Sequence, residues 1–143
     1  MFSEFEYEIY KATEKKVPLT ADFLSGTYLK LLKKYYGDSQ GVVKVDNLYG
    51  IEWAFVPHFY YDFYVYNYVT GYLTGLVLSD KVVDSDYKQR DIYIEKVLKA
   101  GGSKYPLLEL KEAGADLADP KFYDRAFKII NERIAELEKL TKK

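Results

Sequence analysis

Pro57-His58-Phe59-Tyr60-Tyr61-Asp62-Phe63-Tyr64-Val65-Tyr66-Asn67-Tyr68-Val69-Thr70-Gly71 is the stretch whose reading decides the fold. Its aromatic and β-branched residues favour a strand. Its length does not, because the run from Glu52 to about Asp84 far exceeds a typical strand of about five or six residues. Clean two-residue alternation is missing as well. Gly71 and Gly75, four apart, suit close packing of a neighbouring helix. On length, the segment is predicted to be a buried helix with Pro57 near its start and 58–72 inside it, although pattern alone leaves a strand open.

Outward from this segment the signals are helical. Residues 3–15 read as a helix ended by Val17-Pro18, since proline pushes its predecessor out of the helical region. Thr20 is a good N-cap, followed by Leu24, Tyr28, Leu31, Leu32 and Tyr35 at helical spacing, with Gly37 as the stop. Residues 37–50 are a loop by composition. Ser85 caps a helix running to Lys99 and ended by Gly101-Gly102, and a shorter helix fits Tyr105 to Ala113 before Gly114. The last helix opens with Asp119 as N-cap and Pro120 at its first position. Tyr123, Ala126, Phe127, Ile130, Ile134 and Leu137 form its predicted apolar stripe. The expectation is an all-α chain of about six helices, a single domain over 1–143.

Composition narrows the function. The chain has 143 residues and 48% of them are apolar, enough for one domain with a core. With 21 Lys+Arg against 22 Asp+Glu the net charge is −1, so no basic field draws nucleic acid. The absence of Cys excludes disulfides, thiol catalysis and thiolate zinc sites, and fits a reducing compartment. A single His excludes any site needing two. No apolar run reaches the roughly 18 residues of a membrane span, and Met-Phe-Ser-Glu-Phe-Glu at residues 1–6 is acidic where a signal peptide is basic. A cytoplasmic protein with no membrane and no nucleic-acid partner is expected. The outlier is aromatic content, 16 Tyr, 8 Phe and one Trp, gathered around the central segment.

On a helix, His58, Tyr61, Val65, Tyr68 and Tyr72 would share one face. Tyr61 and Tyr68 would then stand about 10 Å apart. Two readings of this face remain open at this point. One is amphipathic packing in which each hydroxyl finds a backbone carbonyl or a water. The other is a row of neutral hydrogen-bond donors facing a cleft.

The segment Pro57 to Gly71 closely resembles the signature segment near the C-terminus of the oligoendopeptidase F group, in the thimet oligopeptidase-like family of zinc metallopeptidases. Met1-Phe2-Ser3-Glu4-Phe5-Glu6, Pro18-Leu19-Thr20, Tyr35-Tyr36-Gly37, Trp53, Ala100-Gly101-Gly102-Ser103, Pro106 and Ala113-Gly114-Ala115-Asp116 fall in order where that family has similar residues. Essentially the whole chain is covered.

The resemblance implies the helical C-terminal portion of a zincin-like catalytic domain that hydrolyses short peptides. In that family, zinc is held by a His-Glu-x-x-His helix and a Glu from the following helix, and the motif's Glu serves as general base. With one His, no such motif can be written here, so this chain is expected to bind no metal and to be inactive alone. The resemblance makes His58, Tyr61, Tyr64 and Tyr68 substrate-binding residues, with Tyr61 and Tyr68 catalytic as donors to the oxyanion. A tyrosine hydroxyl, with a reference pKa of about 10, is protonated at neutral pH and donates without adding charge. Tyr60 and Tyr66 are expected to pack against neighbouring helices. The alternative is a free-standing, non-catalytic helical peptide-binding module. Loss of the facing zinc helices predicts that the isolated chain forms a homodimer through the exposed cleft face.

Other features take plainer readings. Gly101-Gly102-Ser103 fits a helix stop followed by a cap, and Trp53 an anchor where the central segment begins. The carboxylate pairs Glu4/Glu6 and Asp84/Asp86 fit exposed faces and caps, and Lys139 to Lys143 a solvated C-terminus favourable to the helix dipole.

Overall fold

The computed structural model describes residues 1–84 and 87–142. Six α-helices and no strand occur among them: α1 (Phe2–Glu14), α2 (Ala21–Tyr36), α3 (Tyr66–Asp84), α4 (Tyr87–Tyr93), α5 (Pro106–Glu112) and α6 (Pro120–Thr141). The chain divides into two compact units, Met1–Asn67 and Tyr68–Lys143.

The first unit is built on α1 and α2. Thr20 caps α2 as expected, its hydroxyl oxygen accepting the Phe23 N–H at 3.2 Å. Gly37 ends α2 at φ 67°, where an added Cβ would lie 3.0 Å from Val42 Cγ2. Phe5 of α1 and Tyr28, Leu31 and Leu32 of α2 form a core with Val45, Phe59 and Val65. Phe5 is fully buried and meets Tyr28 and Phe59 edge-on, with ring centroids 5.2 and 5.0 Å apart.

The central segment is not one helix. A 3-10 stretch spans Asn47–Phe55, a second spans Pro57–Tyr60, and α-helix begins only at Tyr66. Between them Asp62 and Phe63 take φ 48° and 55°, left-handed values that no right-handed helix accommodates. The cause lies in the core. Phe59 and Val65, 8% and 5% exposed, fill the same cluster. On a continuous helix two residues six apart project about 120° from each other, so both reach one core only if the chain unwinds between them. Nor is the segment buried as a whole: Tyr60, Tyr61, Tyr64, Tyr66, Tyr68 and Tyr72 are all exposed. Gly71 and Gly75 mark no close approach either, since a Cβ on either would meet nothing within 4 Å.

In the second unit, Leu73, Val77 and Leu78 of α3 pack with Ala113, Ala115 and, from α6, Phe122, Ala126 and Ile129. Asp119 caps α6 through the Lys121 N–H, with Pro120 next. Its buried face matches the predicted stripe only in part: Ala126 is buried and Ile130 packs against the core as expected, Tyr123, Phe127, Ile134 and Leu137 are exposed, and Phe122 and Ile129 join Ala126 in pointing inward. The helix expected from Ser85 to Lys99 appears as α4 followed by a wider π turn at Ile94–Leu98. The Ser85 cap and Asp86 lie outside the described residues. No helix among them is long and apolar enough to cross a membrane.

Candidate functional site

Three of the predicted site residues meet in the first unit. His58 lies in the 3-10 turn Pro57–Tyr60, and Tyr61 and Tyr64 flank the left-handed pair. The imidazole stacks on Tyr64, centroids 5.5 Å apart and planes at 16°. It meets Tyr61 edge-on at 6.0 Å, and the two phenol rings stand 6.1 Å apart at 86°. Each ring thus buttresses the other two. Tyr61 and Tyr64 are 58% and 45% exposed, so two phenols reach solvent from one fixed cluster.

Tyr68 is placed differently. It belongs to the second unit, in the first turn of α3, and is exposed there. Tyr72 follows one turn later, also exposed.

Among the described residues no group of three or more His, Cys, Asp or Glu is placed to hold a metal. The donor set therefore does not fit a zinc centre. What the cluster offers is phenol hydroxyls and an imidazole held by mutual ring contacts.

The profile of peptidase family M3 matches residues 1–129. The chain belongs to peptidase family M3. It is 42% identical over 143 residues to oligopeptidase PepF of Bacillus subtilis, covering 100% of this chain and 21% of that protein. It is 40% identical over 142 residues to the plasmid oligoendopeptidase F of Lactococcus lactis subsp. cremoris, covering 99% and 23% respectively. A crystal structure assigned to a peptidase from Chlamydophila abortus superposes with a TM-score of 0.81 at 41% identity, over 97% of this chain and 23% of that one. The chain thus spans between a fifth and a quarter of the length of these M3 relatives.

Beneath the cluster of this M3 chain lies a contact that the sequence did not announce. The Tyr10 hydroxyl donates to Asp62 Oδ1 at 2.6 Å, and its ring stacks on Phe63 at 4.0 Å and 28°. The bond to the carboxylate, followed by burial and the negative charge of Asp62 and Glu6, pushes the Tyr10 phenol up to about 12. Left-handed φ costs of order 1–3 kcal/mol for a residue such as Phe63 and persists only where neighbours enforce it. Residues 10 and 62 are 52 apart in sequence, beyond the reach of any local pattern.

The remaining features are structural, with one correction. Trp53 donates from Nε1 to Ser25 Oγ at 3.1 Å, tying the 3-10 stretch to α2. Glu4 bonds Tyr35 and Lys34, which hold its carboxyl below the usual range. Glu6 is not on an exposed face: it is 1% exposed, and its Oε1 has no hydrogen-bond partner among the described residues. Gly101 adopts φ 57°, as a helix stop requires.

Proposed function

We propose that this chain is the C-terminal, substrate-facing portion of the catalytic domain of a cytoplasmic zinc-dependent oligoendopeptidase that hydrolyses short peptides. The observation that carries the reading is the His58–Tyr61–Tyr64 cluster, presented to solvent by a strained turn in an M3 chain. Both compact units belong to that one domain.

Tyr61 and Tyr68 donate hydrogen bonds to the scissile carbonyl oxygen as water attack places negative charge on it. Such donors are worth more toward the developing oxyanion than toward the ground-state carbonyl, and so raise kcat. His58 and Tyr64 bind the peptide beside that carbonyl, His58 through a ring nitrogen and Tyr64 through its ring and hydroxyl. Zinc supplies Lewis acidity and an activated water in the complete enzyme. This chain's residues do not fit it, and its ligands belong to the longer protein.

The test compares this chain with the complete protein on a short quenched-fluorescence peptide, with metal analysis after dialysis. The complete protein is expected to carry about one zinc and to cleave. The chain alone is expected to hold none and to release no product. One tightly held zinc on the chain, or cleavage by it, refutes the division of labour. A complete protein that binds peptide without cleaving it favours a peptide-binding module.

Self-association is expected of the chain alone. Tyr61 in the first unit and Tyr68 in the second are 58% and 59% exposed, and exposed aromatic surface tends to find another surface. A two-fold dimer pairs the same patch on both copies. Sedimentation across a concentration series is expected to show a dimer weakened by the double substitution Tyr61→Ser, Tyr68→Ser. A monomer at high micromolar concentration, or a dimer indifferent to the substitutions, overturns this.

A further inference from the structure

Two consecutive non-glycine residues with positive φ, one of them bulky, need something to hold them there. Asp tolerates the left-handed region through its short polar side chain, and Phe does not. Tyr10 touches both. Its hydroxyl donates to Asp62 Oδ1 at 2.6 Å and its ring lies on Phe63 at 4.0 Å. It projects from α1, the helix that also carries the fully buried Phe5, and Phe5 packs on Phe59 just before the turn. Val65, just after the turn, is 5% exposed in the same core. Residues 60–64 are therefore pinned at both ends by burial and in the middle by one side chain. Tyr61 and Tyr64, whose rings define the cluster, are the immediate neighbours of the pinned pair.

We infer that Tyr10 is a positioning residue of the peptidase site: through Asp62 and Phe63 it holds the left-handed turn that aims Tyr61 and Tyr64. This rests on the reading of Tyr61 as an oxyanion donor. The bond is charge-assisted, since the acceptor is a carboxylate, and so is stronger than a neutral pair. The ring stack adds an orienting contact that a hydroxyl alone lacks. A donor displaced by about 1 Å from the reacting oxygen loses much of its effect, which makes a distant clamp matter to rate.

The test uses Tyr10→Phe, which keeps the ring and removes the donor. In the complete peptidase, kcat is expected to fall about tenfold, the scale of one hydrogen bond to a charged acceptor. Asp62→Asn retains an acceptor and tolerates the same φ, so it is expected to stay within about threefold of wild type. Asp62→Ala loses both and is expected to fall at least as far as Tyr10→Phe. Tyr7→Phe, on an exposed stretch of α1 with Lys11 over its ring, is the control and is expected to be silent. The decisive readout is a double-mutant cycle. If Tyr10 acts through Tyr61, adding Tyr10→Phe to Tyr61→Phe costs about twofold or less rather than a further tenfold. Full additivity overturns the inference, as does an unchanged kcat in Tyr10→Phe. Hydrogen exchange on this chain reads the clamp without any turnover: the amides of 61–64 are expected to exchange about tenfold faster in Tyr10→Phe. Unchanged exchange refutes the clamp, whereas a complete wild-type protein with no peptidase activity refutes only the functional reading beneath it.

Discussion

Tyr61→Phe and Tyr68→Phe, made singly in the complete peptidase, are each expected to lower kcat about 10²- to 10³-fold, the effect of removing one donor from an oxyanion site. KM is expected to move much less. The hydroxyl is the difference between Tyr and Phe, so ring packing in the His58–Tyr61–Tyr64 cluster survives the change at Tyr61. A donor that bonds the ground-state carbonyl and the oxyanion equally well would raise KM and leave kcat alone. The expected pattern is the opposite, because charge develops on the oxygen only as the carbonyl is attacked. Tyr60→Phe is the internal control: Tyr60 is 65% exposed, lies two residues from His58 and is given no role, so it is expected to change kcat by about twofold or less. If Tyr61→Phe and Tyr68→Phe both match Tyr60→Phe, the oxyanion role is wrong. If they raise KM alone, the two residues bind substrate and do not stabilise the transition state.

How much of this was legible in the sequence varies by element. Helices α1, α2, α5 and α6 were readable because their ends carry local chemistry: Val17-Pro18, Thr20, Gly37, Gly114 and the Asp119-Pro120 pair each act within four residues of themselves. The helical class of the chain followed from the same signals. The stripe of α6 was read correctly at Ala126 and Ile130 but took Tyr123 and Phe127 in place of Phe122 and Ile129, which match a helical stripe equally well. Only packing against Ala113 and Ala115 distinguishes them.

The central segment failed for a different reason. Its length argued for a helix, and α3 does supply one from Tyr66 onward. Nothing local says that 61–64 must unwind, for the demand comes from Phe59 and Val65 competing for one core and from Tyr10, 52 residues away from Asp62. Composition gave no hint of left-handed backbone at Phe63, where the usual marker would have been Gly or Asn. The consequence for the site is direct. A single helical face would have set His58, Tyr61 and Tyr68 in a row. The chain instead groups His58 and Tyr61 with Tyr64 by ring contacts and places Tyr68 on α3 in the second unit. The candidate residues were found by pattern and resemblance, and their grouping only by tertiary structure.

Phe5→Ala in this chain is expected to destabilise the first unit by about 3–5 kcal/mol, the range for removing a buried aromatic ring. Phe5 is 0% exposed and lies between Tyr28 and Phe59, so its loss opens a cavity that neither α2 nor the 3-10 stretch can collapse into without giving up a ring contact. Small domains hold only about 5–15 kcal/mol in total, and a unit of this size sits toward the lower end, so the change leaves a large fraction of it unfolded. The readout is built in. Trp53, the one tryptophan in the chain, packs against this core and donates to Ser25 on α2, so its fluorescence follows the first unit. Phe55→Ala is the matched control, removing the same ring from a position 81% exposed, and is expected to change the unfolding free energy in urea by about 0.5 kcal/mol or less. Phe5→Leu, which refills most of the space, is expected to fall between the two. Because Phe59 directly follows His58, unfolding here also disperses the His58–Tyr61–Tyr64 cluster. The near-ultraviolet tyrosine signal is therefore expected to fall with the Trp53 transition rather than after it. A Phe5→Ala transition within 1 kcal/mol of wild type would mean that the ring packing around Phe5 does not hold the first unit together.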